Sequence, residues 1–296
     1  MRLANIRQRL LHRIVTPGLW LLVASLALAG TGRAAAALAP RPSACGLAEP
    51  CASQGPLPPL LIINTGAPDG RMAMAARLPG HSLIEIEAAD DFSVTTDVRV
   101  FQATITGLLP ISATLSTIED VDLEMYRIFP LDSDTGRTIN VPTRANSPSD
   151  VDFGQRSASA NQLIYTAVIV SPTFHALNSV LNGIHPKPNQ TTGGEGAVNG
   201  EEVRINITLN DPFALAAGHY FFIPKLKLSS GTWYWLSAPG PALFPGDLQA
   251  WIRNSALDPD WLRVGTDIVG GGTPPKFNGS FSLSSGREVF LPVVLR

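Results

Sequence analysis

Two kinds of side chain in this sequence have the types and spacing to do chemistry: clustered aromatic rings and paired carboxylates. Tyr220, Phe221, Phe222, Trp233, Tyr234 and Trp235 fall on two neighbouring predicted strands. If those strands pair, Trp233 and Trp235 share one face of the hairpin and Tyr234 takes the other. An exposed row of rings stacks on the apolar faces of sugars, so Trp233, Tyr234, Trp235 and Tyr220 form the candidate ligand platform. The competing reading is that these rings fill a core, since each buries a large area. Among the carboxylates, Asp132-Ser133-Asp134-Thr135-Gly136 opens like a calcium loop, which supplies hard oxygen ligands. It departs from the pattern at Gly136, where Asp or Asn belongs, and at Thr143, where a bidentate Glu belongs. Asp132 and Asp134 stand as calcium candidates beside the simpler reading of a polar turn.

Other reaction classes find less support. Asp134-Thr135-Gly136 matches the aspartic-protease triplet but lacks an apolar strand before it and a second copy. There is no G-x-S-x-G elbow. His81, His175, His185 and His219 are scattered, without the paired spacing zinc needs. Glu119, Asp122 and Glu124 offer carboxylates for glycoside hydrolysis, but Asp122 and Glu124 share one strand face and read as a solvated outer surface. The stretch from Gly193 to Gly200 lacks the G-K-[ST] that cradles phosphate. The chain reads as non-catalytic.

These residues belong to a chain of 296 residues, 16% charged and 45% hydrophobic, with 26 Gly and 25 Pro. Charge this low and turn formers this frequent exclude a disordered chain, a coiled coil and a long-helix bundle. Four Arg precede Pro17, and Gly18 to Gly30 is an uncharged, mostly apolar run suited to a signal segment, with small residues at Ala34-Ala35-Ala36 for cleavage. Arg2, Arg7, Arg9, Arg13 and Arg33 leave with it. Of 22 basic residues 17 then remain against 24 acidic, a net charge of −7. Such a body has no basic footprint for nucleic acid or anionic membrane. Cys45 and Cys51 can pair as a disulfide in the oxidising compartment that export implies. The expected organisation is a signal peptide at 1–36, a Pro/Ala-rich lead-in at 37–59 and one β-sandwich domain with long loops at 60–296.

Short strands separated by turn clusters position the rest. Val203 to Leu209 and Val121 to Phe129 alternate apolar and polar, as do Ser82 to Glu87, so each reads as a half-buried strand. Leu163 to Val170 is apolar and β-branched throughout, which predicts a strand covered on both faces. Val98 to Thr106, His219 to Ile223, Thr232 to Ser237 and Val289 to Leu295 complete the set. One short helix is predicted near 247–254, with Asp247 as cap and Leu248, Trp251 and Ile252 on one stripe. Trp251 and Trp261 flank the turn from Asn254 to Asp260 and would pin it to the sandwich. The fold class is all-β, a sandwich.

Several stretches carry a resemblance. Ala89-Asp90-Asp91-Phe92-Ser93-Val94 with Ile105-Thr106-Gly107, and Leu215 to Tyr220, resemble secreted bacterial jelly-roll modules of carbohydrate-binding type. That likeness implies a jelly-roll-like sandwich and places Asp90 and Asp91 near its edge as further calcium candidates. Val141 to Asp150, Asn182 to Gly194 and Asp258 to Gly270 are similar to a group of exported bacterial proteins that lend no activity. Relatives in that group often end in an exosortase-type sorting tail; here Glu288 to Arg296 reads instead as a last strand. Together these readings describe a secreted or cell-surface-associated binding module. Its partner would be an extracellular polysaccharide or an envelope protein, with no nucleic acid and no membrane after signal removal. No cofactor is required, calcium being the one considered. A structural or adhesive envelope protein is the alternative, and a hydrolase the third reading.

Overall fold

The computed structural model describes residues 60–111, 113–137, 144–184, 190–240 and 248–286. The signal segment, the lead-in, Cys45, Cys51, His185, Asp247 and the strand expected at Val289 to Leu295 lie outside the described residues. The strands are β1 (Leu60–Asn64), β2 (Ala73–Ala75), β3 (Ile86–Val94), β4 (Val98–Leu109), β5 (Ile118–Arg127), β6 (Gly154–Ser157), β7 (Leu163–Ala176) and β8 (Ser179–Val180). They continue with β9 (Val198–Leu215), β10 (Gly218–Leu228), β11 (Tyr234–Ala238), β12 (Trp251–Asn254), β13 (Leu262–Arg263), β14 (Asn278–Gly279) and β15 (Phe281–Ser285). The molecule is an all-β sandwich of two sheets. One runs β1-β15-β4-β11-β2-β8, with β9 beside β4, β7 beside β9 and β14 beside β11; the other runs β13-β12-β3-β10-β5-β6. Most neighbours are distant in sequence, so the strands are joined by crossovers rather than by a simple meander.

The core follows from alternation. Val121, Leu123 and Met125 on β5 and Phe222 and Leu226 on β10 meet Ile105 on β4 and Val203, Ile205 and Ile207 on β9. Residues between them must face the other way. Phe222 lies 5.1 Å from Phe281 and 6.1 Å from Trp235, edge-on to the latter, so aromatic rings bridge the two sheets.

That bridge corrects the aromatic platform. Tyr220 to Phe222 belong to β10 in the six-stranded sheet, whereas Tyr234 and Trp235 belong to β11 in the nine-stranded sheet. The two segments do not pair; they face each other across the core. Trp233 and Trp235 are fully buried, Tyr220 is 5% exposed and Tyr234 is half-buried. Glycines make room for the rings: a Cβ on Gly107 would stand 2.4 Å from the Trp233 ring, and one on Gly279 would stand 2.1 Å from Trp235. Trp235 Nε1 donates to the Ser280 carbonyl at 2.9 Å, satisfying its one polar atom in place.

Three element assignments change. The half-buried strand expected over Ser82 to Glu87 begins only at Ile86, because Ser82 sits in a turn at a φ of 66° and Ile84 is 47% exposed. The helix expected near 247–254 is absent, and Trp251–Asn254 is strand β12, paired with both β3 and β13. The stripe of Leu248, Trp251 and Ile252 is explained otherwise. Ile252 enters the main core, while Trp251 points to a second cluster on the opposite face. Leu163 to Val170 lies in β7, whose only strand partner among the described residues is β9. Leu163 is buried, but Ile164, Val168, Ile169 and Val170 are exposed, so the strand is an edge and not a doubly covered one.

Candidate functional site

The outer face of the six-stranded sheet carries the groups that strand alternation turns away from the main core. β3 presents Glu87, Ala89 and Asp91, β5 presents Asp122, Glu124 and Tyr126, β10 presents Phe221, Ile223 and Lys225, and β12 presents Trp251 and Arg253. Solvent does not reach most of this face. Ala89, Tyr126, Phe221, Ile223, Trp251 and Trp261 form a second apolar cluster upon it. The cover comes from segments 128–137, 144–153 and 255–263. Trp261 Nε1 donates to the Ser149 carbonyl at 3.1 Å, Ile128 bridges Pro148, and Arg137 pairs with Asp260. Asp122 and Glu124 are accordingly 4% and 5% exposed, which corrects their reading as a solvated surface.

At the border of this cover opens a pocket of about 230 Å³, lined by Glu85, Glu87, Glu124, Tyr126, Lys225, Arg253, Asn254, Ser255 and Asp258. Lys225 is its centre. Lys225 Nζ donates to Glu85 Oε1 and Glu124 Oε1, each at 2.6 Å, and to Glu87 Oε1 at 3.4 Å. Arg253 stands opposite Glu87 in the β12–β3 register and bonds its Oε2 through Nε. Its Nη2 donates to Tyr126 Oη at 2.7 Å, Nη1 to the Asp150 and Pro259 carbonyls, and its guanidinium lies 4.4 Å from the Trp261 ring centre. Both cations are nearly buried, and their attachment to carboxylates is what makes that burial tolerable.

The electrostatics separate the two inner glutamates. Burial pushes Glu87 up, but Arg253 and Lys225 outweigh it, and its carboxyl is held below the usual range. Burial pushes Glu124 up to about 8 against the pull of Lys225, and the neighbouring Glu87 charge adds to the rise. Glu124 Oε2 is buried and has no hydrogen-bond partner, so a charge there is poorly compensated. A proton converts that carboxyl into a donor towards Glu87. Burial lowers the affinity of Lys225 and Arg253 for their protons, but the facing carboxylates reverse this and keep both charged.

No protein-family model matches the chain, and neither a curated protein nor a solved structure is detectably similar to it. Its own geometry nevertheless brings separated stretches of sequence together. Segment 144–150 supplies Asp150 and Ser149, which meet Arg253 and Trp261 from 253–263. Asn182 accepts from Asn254 Nδ2 at 2.6 Å. Residues 181–183 are clasped by the Glu195 carboxylate, which accepts from their three backbone amides at 2.9–3.0 Å.

The calcium candidates fall elsewhere. Asp90 and Asp91 lie inside β3, next to the middle of its sheet, rather than at an edge. Asp90 Oδ2 accepts from Gly279 N at 2.8 Å, linking the sheets, and Asp91 accepts from His219 and from Leu248 N. Asp132 holds Arg127, and Asp134 Oδ1 accepts from Gly136 N in a local turn. The described carboxylates close enough to share a cation are Glu85, Glu87 and Glu124, with ligand oxygens within 4.8 Å of one another. Lys225 Nζ stands among them and supplies the positive charge. His81, His175 and His219 bond Glu119, Asn199 and Asp91 respectively and do not converge.

Sequence reasoning did not single out Lys225, Arg253 or Tyr126. The available signal was a cation set in an apolar strand, Lys225 in Phe221-Phe222-Ile223-Pro224-Lys225-Leu226-Lys227 and Arg253 after Ala250-Trp251-Ile252. A charge at such a position must find a partner or a ligand.

Proposed function

We propose that the protein is a secreted, non-catalytic β-sandwich module that binds a carbohydrate in the pocket around Lys225. The observation that carries this reading is the pocket itself, a small polar depression whose donors and acceptors are held by four strands, β3, β5, β10 and β12. At about 230 Å³ it is smaller than the ~300–1,000 Å³ of drug-sized sites and suits a single sugar ring. Carboxylates accept from sugar hydroxyls, and the ammonium, guanidinium and Asn254 amide donate to them. With Glu124 neutral, Glu85, Glu87 and Asp258 outnumber Lys225 and Arg253 by one charge, which favours a neutral or amino sugar over an acidic one. The Arg-rich leader and apolar run support export, and the likeness to secreted jelly-roll modules supports the ligand class.

A glycan array followed by calorimetry tests the proposal, with Ser255→Trp placed at the exposed rim to fill the mouth. The expected result is binding by the wild type, loss of binding in Ser255→Trp with unchanged melting temperature, and no effect of EDTA, because Lys225 replaces a metal. A wild type that binds no glycan, or a Ser255→Trp variant that binds equally well, overturns it. A structural envelope role is the second reading, favoured by the exposed edge of β7. It predicts that the protein partitions with the envelope fraction without any glycan ligand.

A further inference from the structure

We propose, resting on the carbohydrate reading of the pocket around Lys225, that this pocket selects sugars with a free, protonated amine, so that its partner is an extracellular polysaccharide bearing unacetylated amino groups. The hydrogen-bonding capacity that the protein leaves unused carries the assignment. Lys225 Nζ has three hydrogens and three carboxylate partners, Glu85, Glu87 and Glu124. Arg253 commits four of its five N–H groups, to Glu87, Tyr126 and the Asp150 and Pro259 carbonyls. Asn254 Nδ2 donates to Asn182 Oδ1, and Asn254 Oδ1 accepts from Ala256 N. One hydrogen on Arg253 Nη2, one on Asn254 Nδ2 and the Ser255 hydroxyl are the donors left for a ligand.

The acceptors are far less used. An ionised carboxylate takes about four hydrogen bonds. Among the described residues the Glu85 carboxylate accepts only from Lys225, and the Asp258 carboxylate meets only Arg253 Nη1, at 3.5 Å. Glu124 Oε2, on a side chain 7% exposed, is buried with no partner. Position adds to the bias. The side chains of Lys225 and Arg253 are 2% and 7% exposed, whereas those of Glu85 and Asp258 are 39% and 65% exposed. A ligand entering from solvent therefore meets carboxylates before it meets cations. An ammonium brings three donors and a positive charge to that mouth. Acetylation leaves the nitrogen one hydrogen and no charge, and an acidic sugar is repelled.

Calorimetry with four oligosaccharides of equal length tests this at about pH 6, below the usual amine range. The probes are oligomers of glucosamine, N-acetylglucosamine, glucose and galacturonic acid. Glucosamine should bind on the order of tenfold more tightly than its N-acetylated and glucose counterparts, the size of one charge pair in partial contact with water. Galacturonic acid should bind most weakly, and added salt should narrow the glucosamine advantage. Asp258→Asn should cut that advantage several-fold with an unchanged melting temperature. Asp211→Asn removes an exposed charge from β9, in the other sheet, and should leave the advantage as it is. Equal affinity for the glucosamine and N-acetylglucosamine oligomers overturns the amine assignment and leaves the carbohydrate reading standing. An advantage reduced as much by Asp211→Asn as by Asp258→Asn does the same, since it would come from the net charge of the chain. Absence of binding to all four oligomers overturns both.

Discussion

Replacing Glu124 by Gln should make the protein more stable in alkaline solution and remove a large part of its pH dependence. Gln copies the neutral carboxyl: its carbonyl accepts from Lys225 and its amide donates towards Glu87. In the wild type the Glu124 carboxyl is pushed up to about 8 in the folded protein, from 4.5 when solvated. The folded state therefore holds a proton that the unfolded chain has already released between those two values. Stability falls as pH rises through that window, because the native state binds more protons there. At ~1.36 kcal/mol per pH unit the full loss approaches ~5 kcal/mol, complete above about pH 8. For a domain of this size ~1 kcal/mol moves the melting temperature by about 2–4 °C, so the wild type should lose on the order of 10 °C relative to Glu124→Gln. Glu87, held low, contributes its own loss only as pH falls below its solvated value of 4.5, outside this window. The other titratable groups are common to both proteins, so the difference between the two curves reports Glu124. The assay is urea unfolding of both proteins at half-unit steps from pH 5 to 9. Parallel stability curves across that range would refute the reasoning, since they would mean that Glu124 ionises as a solvated carboxyl.

Removing the partner of a buried charge should be costlier than neutralising Glu124. Arg253→Met leaves Glu87 without its guanidinium and should cost about 3–5 kcal/mol in urea unfolding at neutral pH, with much of the loss recovered in Arg253→Met/Glu87→Gln. Gly279→Ala drives a Cβ to 2.1 Å from the Trp235 ring and should cost about 1–3 kcal/mol, whereas Gly272→Ala, with open space around it, should stay within ~0.5 kcal/mol.

Strand identity was legible where one face of a strand is apolar. Val121, Leu123 and Met125 on β5, and Val203, Ile205, Ile207 and Leu209 on β9, face the core as their alternation indicates. Sheet membership was not legible, because it depends on pairings far apart in sequence. The short connection between β10 and β11 suggests a hairpin, yet β11 joins β2 and β4 while β10 joins β3 and β5. The aromatic platform failed with that pairing. Apolar content misled at β7, where Ile164 and Val168 face out on an edge. For the candidate site, alternation correctly put Asp122 and Glu124 on the face away from the core. It carries no information about a covering layer assembled from residues 128–137, 144–153 and 255–263. Lys225 and Arg253 were readable only as cations following apolar runs, a signal that says a partner exists without saying which one.

The covering layer gives the molecule two levels of permanence. The sandwich is secured by long ladders and a continuous core, while the cover is fastened by single bonds and side-chain pairs rather than ladders, among them Trp261 to Ser149, Arg137 to Asp260 and Arg253 to Asp150. Segments held this way open at lower free energy than the strands beneath them. Once the cover lifts, water reaches Glu87, Glu124 and Lys225, and the electrostatic differences between them fade while both sheets stay folded. The lifetime of the pocket is thus the lifetime of its cover, and amides in 144–150 and 255–263 should exchange with solvent well before those of β5 and β10.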